Sequence, residues 1–162
     1  MKDSKLSNGL KLIISIIVCQ LAGVIGAIFT TPSISTWYRT LEKPSFNPPN
    51  WVFGPVWTTL FLLMGISAFL IWREGIKKSQ VRIALGIFIT QLLLNILWSV
   101  LFFGLKLPIA GFFEIILLWF AILLTILSFF KISIPAGILL IPYILWVSLA
   151  SVLNFALWRL NS

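Results

Sequence analysis

The sequence predicts an all-α membrane protein, a bundle of five transmembrane helices with a structured loop between the first two. Three observations carry that prediction. Of 162 residues, 60% are hydrophobic and 10% charged, with a mean hydropathy of +1.08. A soluble domain has about 25% charged and about 45–50% apolar residues, so one small core does not hide this much apolar surface and a bilayer does. Charges divide the chain into five long runs, 12–38, 44–72, 83–105, 107–130 and 132–158, the fourth interrupted once by Glu114. The runs are continuously apolar, without the in–out alternation of a membrane β-barrel.

Each span follows from its own boundary residues. About 20 apolar residues cross the hydrocarbon as a helix. The first span is expected near 11–30, ended by Thr31-Pro32. It starts after Lys2, Lys5 and Lys11 like a signal peptide, but its apolar stretch outruns the usual ~7–15 residues and has no clean cleavage site. The second span is expected over 50–72, because the tandem Pro48-Pro49 cannot sit inside a helix. The third, fourth and fifth fall near 82–104, 107–130 and 133–158, with short connections, so residues 1–162 read as one five-helix domain with a lid loop at 31–49.

The charge balance gives direction. Lys2, Lys5, Lys11, Arg73, Lys77, Lys78, Arg82 and Lys131 fall on the N-terminal side; Arg39, Lys43, Lys106 and Arg159 fall on the other. The positive-inside bias then predicts a cytoplasmic N-terminus, with the 31–49 loop and the C-terminus outside. The net charge of +8 reads as topology and lipid headgroup contact, not as a nucleic-acid surface.

Composition removes several chemistries. With no histidine, a His-based catalytic triad, His-ligated zinc and His-ligated haem are excluded. A single cysteine, Cys19, makes no internal disulfide, and four acidic residues leave little for carboxylate catalysis. What the chain has in excess is aromatic, 8 Trp and 14 Phe.

Trp37, Trp51, Trp72 and Trp158 lie at span ends, where indole prefers the membrane interface. Trp57, Trp98, Trp119 and Trp146 lie inside their spans. From the helical rise, Trp57 and Trp98 lie about 9 Å, Ala150 about 12 Å, Asn95 about 13 Å and Trp146 about 18 Å below the loop-side ends. Gln91, Asn95, Trp98, Ser99 and Phe102 share one face of the third span; Tyr143, Trp146, Ala150 and Asn154 share one of the fifth; Trp57, Phe61, Gly65 and Ala68 form a stripe on the second. Polar side chains facing lipid are costly, so these faces should turn inward. They serve either as polar glue between helices or, taken together, as an aromatic-walled pocket for a flat ring between Trp57, Trp98 and Trp146. Glu114, about 10 Å down the fourth span, reads as a functional acid, as a side chain snorkelling to headgroups or as a partner of Lys106. Ala22, Gly23, Gly26 and Ala27 form small-xxx-small pairs, read as a homodimer seam or as internal packing.

The loop Trp37-Tyr38-Arg39-Thr40-Leu41-Glu42-Lys43-Pro44-Ser45-Phe46-Asn47-Pro48-Pro49 is dense in proline and aromatics and reads as a lid. It resembles the TspO/translocator protein family, also called tryptophan-rich sensory proteins or peripheral-type benzodiazepine receptors. The resemblance continues with Trp51-Val52-Phe53-Gly54-Pro55-Val56-Trp57-Thr58 and Met64-Gly65, then Gln91, Asn95, Trp98 and Phe102-Phe103-Gly104, and closes with Pro142-Tyr143, Trp146, Ala150 and Leu153-Asn154. It covers almost the whole chain, in order, and is to bacterial-type members. It implies a homodimeric five-helix bundle of the bacterial cell membrane that binds porphyrins (protoporphyrin, haem) and drug-like aromatic ligands, with no covalently bound cofactor. The family pocket maps onto Tyr38, Trp57, Asn95, Trp98, Ser99, Trp146 and Ala150; Trp51, Phe61, Phe102 and Asn154 complete the candidate ligand-binding set. The sterol motif of animal relatives has a tyrosine where this chain has Phe155, which counts against a sterol ligand. The implied function is a porphyrin receptor or sensor; the alternatives are porphyrin or sterol transport and light- and oxygen-dependent porphyrin breakdown.

Overall fold

Five long helices, each apolar enough to cross a bilayer, make up the chain, and the protein is a multi-pass integral membrane protein. The computed structural model describes residues 6–162; Lys2 and Lys5 of the charge count lie outside them. The first span is α1 (Asn8–Ser35). A short helix, α2 (Trp37–Thr40), follows it. The second span is α3 (Asn50–Trp72), which starts directly after Pro49. The third is α4 (Ser79–Ser99), continued by a π-helical turn over Val100–Gly104. The fourth is α5 (Pro108–Phe130). The fifth is broken into α6 (Ile134–Leu139) and α7 (Ile141–Leu160).

Contacts between these helices close a ring. α1 packs on α3 and α4, α4 on α5, α5 on α6 and α7, and α6 returns to α3. The two ends of the ring are fixed by separate contacts. At one end the Lys11 ammonium lies 6.0 Å from the Trp72 ring centre, and Ser67 Oγ donates to the Ala136 carbonyl at 2.7 Å. At the loop end, Ser33 Oγ donates to the Phe103 carbonyl at 2.7 Å and Asn154 Nδ2 to the Pro108 carbonyl at 2.8 Å.

Two departures from the sequence reading concern α1. The helix does not stop at Thr31-Pro32 but runs on to Ser35 with Pro32 inside it. Proline removes a backbone donor and crowds the carbonyl one turn back, a cost that neighbouring hydroxyls offset in membrane helices. Here the Pro32 carbonyl itself accepts from Thr36 Oγ1 at 2.7 Å and from Ser35 Oγ at 3.3 Å, so hydroxyls of the last turn pair one of its carbonyls. The 31–49 stretch is therefore partly helical, and only about its second half is extended chain.

The small-residue patch of α1 has a use inside the chain. A Cβ added at Gly23 would stand 2.7 Å from the Phe61 ring, and one at Gly26 would stand 3.1 Å from Ser99 Oγ. Ala22 is buried. Gly23 and Gly26 thus let α1 approach α3 and α4 of its own chain, and Gly65 does the same from α3, its added Cβ falling 2.7 Å from the Ile16 Cα. Close approach is the physical use of small residues in lipid; Ala22, Gly23 and Gly26 serve internal packing in this way, while Ala27 is exposed.

A buried hydrogen-bond chain holds the middle of the bundle. Asn95 Nδ2 donates to the Tyr143 hydroxyl at 2.8 Å, and that hydroxyl donates to Gln91 Oε1 at 2.8 Å. Trp119 Nε1 joins α5 to α7 by donating to Ser148 Oγ at 2.8 Å. Glu114 is buried on the inward stripe of α5, and neither carboxylate oxygen has a partner among the described residues, so it neither pairs with Lys106 nor reaches the surface.

Two outcomes are expected. Tyr143→Phe leaves Asn95 and Gln91 without their shared partner and lowers stability in detergent by about 1–2 kcal/mol; an unchanged unfolding midpoint would show that the hydroxyl holds nothing. An introduced cysteine at the exposed Ser45 reacts with an impermeant maleimide outside the cell, whereas one at Ser79 does not, with native Cys19 silent because it is 1% exposed. Reversed labelling would invert the orientation.

Candidate functional site

Helical periodicity turns the polar and aromatic stripes into the loop half of the bundle, where two spaces open side by side. The first is a cleft of about 240 Å³ lined by α1, α3 and α4. The second is a void of about 20 Å³, the volume of a single water, enclosed by α2, α3, α4 and α7. Phe53, Trp57, Trp98 and Phe103 line both and form the partition between them.

The partition is ordered by ring contacts. Trp98 stacks on Phe102 at 5.3 Å and 17°, one helical turn apart, and meets Phe103 edge-on at 5.7 Å and 87°. Such pairs contribute about 0.5–1.5 kcal/mol each beyond area burial. Both phenylalanines are buried, on a π turn whose backbone bonds run five residues back, Leu105 N donating to the Val100 carbonyl at 2.7 Å. Trp98 is held from below as well, its Nε1 donating to Asn154 Oδ1 at 3.0 Å.

The inner void is narrow because side chains fill it. The Phe53 ring lies edge-on to Trp146 at 5.9 Å and to Tyr38 at 6.4 Å. Tyr38, carried by α2, roofs this void; its hydroxyl donates to Asn47 Oδ1 at 2.6 Å. Burial pushes the Tyr38 hydroxyl up to about 12, with the Asn47 bond working the other way, so the phenol keeps its proton at neutral pH. The expected room for a flat ring between Trp57, Trp98 and Trp146 is thus absent; the room lies on the α1 side of the partition.

The candidate residues divide accordingly. Phe61, Asn95 and Ser99 line the cleft; Tyr38, Phe102, Trp146, Ala150 and Asn154 line the inner void; Trp57 and Trp98 face both. Trp51 is 76% exposed and lines neither, so it belongs to the membrane interface and not to the pocket. Phe53 and Phe103 were not among the candidates. Phe53 was legible as the next member of the Trp57, Phe61 stripe, one turn earlier, and Phe103 as the next member of an Asn95, Ser99 stripe, one turn later.

The polar groups of the cleft are specific. Asn95 uses Nδ2 on Tyr143, which leaves Oδ1 as an acceptor, and Ser99 Oγ makes no hydrogen bond among the described residues. They sit one turn apart on α4. Among the described residues, no ionisable side chain lines the cleft. The site therefore suits a flat, mostly apolar group carrying one or two uncharged hydrogen-bonding atoms.

Comparison with known proteins agrees along the length of the chain. The profile of the TspO/MBR family matches residues 15–159. The tryptophan-rich protein TspO of Chlorobaculum tepidum is 47% identical over 152 residues, covering 94% of this chain and 96% of that protein. The protein of the same name from Archaeoglobus fulgidus is 47% identical over 156 residues, covering 96% and 99%. The human translocator protein is 36% identical over 139 residues, covering 85% and 82%. With a family match across all five spans and relatives alike nearly from end to end, this chain belongs to the TspO/MBR family.

Proposed function

We propose that this chain is a membrane receptor or sensor for porphyrins, protoporphyrin and haem among them, and for drug-like flat aromatic ligands, which it holds against the Phe53, Trp57, Trp98, Phe103 partition. The observation that carries the reading is the pairing of that aromatic wall with polar atoms left without a partner among the described residues, Asn95 Oδ1 and Ser99 Oγ among them, in a cleft that no charged side chain of the described residues lines. Relatives bear the names translocator protein and tryptophan-rich sensory protein, which suit a ligand-responsive membrane protein.

The volume sets a condition. At about 240 Å³ the cleft is slightly below the ~300–1,000 Å³ of common ligand sites, so a macrocycle enters it edge-first and parts α1 from α3. Its carboxylates stay outside the cleft, because nothing cationic lines it. A second copy of the chain belongs to this reading as a homodimer.

Transport is less well supported. Transporters place broken helices at the substrate site, whereas the break at Leu140 lines neither space and lies at the opposite half of the fifth span. Retention of porphyrin without flux in proteoliposomes is therefore expected.

Titration of folded protein with protoporphyrin, read by ligand absorbance, tests the reading. Stacking on one indole and the decade-per-1.4-kcal/mol relation give an expected loss of about tenfold in affinity for Trp57→Ala. Trp72→Ala, at the far end beside Lys11, leaves affinity unchanged. Equal losses in both variants, or none in either, would place the porphyrin on the outside of the bundle and end the proposal.

A further inference from the structure

The cleft is bounded very differently on its water side and on its lipid side. Its lining residues jump from Ile34 to Phe53, so neither α2 nor the 41–49 segment contributes to it. The loop covers the inner void instead, through Tyr38. That cover is fastened: Glu42 N donates to Asn161 Oδ1 at 2.9 Å, and Asn161 Nδ2 donates to the Glu42 carbonyl at 3.0 Å. This reciprocal pair copies a backbone bridge and ties the loop to the end of α7.

On the lipid side the boundary is thin. Val24, Ala27 and Thr31 of α1 and Gly54 and Thr58 of α3 line the cleft and are also exposed. All lie within helices that cross the membrane. A Cβ added at Gly54 would meet nothing within 4 Å. The deep end is closed where Gln20 Nε2 donates to the Thr58 carbonyl at 3.1 Å, bridging α1 to α3.

We propose that the ligand enters and leaves this site sideways, from the lipid leaflet on the loop side, through a portal between α1 and α3, while the loop, which roofs the neighbouring inner void, stays fastened and takes no part. The proposal rests on the receptor reading above and adds the ligand's source: a molecule already dissolved in the membrane, uncharged where it passes the portal. Apolar aromatic molecules concentrate in lipid by the hydrophobic effect, so a lateral mouth meets them at far higher concentration than a mouth facing water.

The test follows protoporphyrin binding by stopped-flow tryptophan quenching with the full-length protein in lipid nanodiscs. Thr31→Trp and Gly54→Trp narrow the mouth at its rim, and both slow association and dissociation at least tenfold. Asn161→Ala unfastens the roof and changes neither rate by more than twofold. Faster association in Asn161→Ala, with unaltered rates in the two rim variants, would move the entrance to the loop and overturn the proposal. So would a fall in affinity of the rim variants with association unchanged, which marks an occupied site and not a narrowed door. If the unaltered chain does not quench with protoporphyrin at all, the receptor reading fails first and the portal with it.

Discussion

The Tyr143 hydroxyl, shared between Asn95 and Gln91, is the contact on which the rest of the bundle depends. Inside lipid no water replaces a missing hydrogen-bond partner, so a polar side chain in a span fixes the rotation of its helix by requiring one. Asn95 and Gln91 together point one face of α4 at α7. Asn154 repeats the device nearer the loop, taking Trp98 Nε1 and giving its own amide to Pro108, so α4, α5 and α7 are held in register. Once α4 is fixed, Trp98 and Ser99 have one direction to face, and the cleft follows from where α1 then fits.

Where α1 fits is decided by size and not by polarity. Gly23 opposite Phe61, Gly26 opposite Ser99 and Gly65 opposite the Ile16 backbone allow α1 to approach its neighbours closely. Towards the loop, the aromatic partition of Phe53, Trp57, Trp98 and Phe103 has no side chain of comparable size facing it from α1. The open volume is the gap between a helix faced with small residues and a wall of large rings.

Much of this was legible in the sequence, for reasons that are physical. Continuous apolar runs fix five crossings, and the expense of polar groups in lipid turns the Gln91, Asn95, Trp98, Ser99 face inward whatever its purpose. Other features depend on contacts that no local pattern records. Pro32 stays inside α1 with its own carbonyl taken by the Thr36 hydroxyl, and Phe102 and Phe103 are both buried on a π turn. Small residues read the same whether they face a second chain or their own, so Gly23 and Gly26 carried two meanings until Phe61 and Ser99 were found against them. Which side of the indoles holds the free volume was equally hidden, since it depends on the Phe53 rotamer filling the space beside Trp146.

The central claim is that a flat aromatic ligand lies between α1, α3 and α4 on the loop half of the bundle. Photo-crosslinking with a diazirine-bearing isoquinoline carboxamide in membranes, followed by peptide mapping, tests it most directly. The account predicts labels on cleft residues of α1 between Gly23 and Ile34 and of α3 between Phe53 and Phe61, competed away by protoporphyrin. Labels confined to the lipid-facing residues of α5, such as Leu117, Phe120 and Leu124, and indifferent to competitor would contradict it.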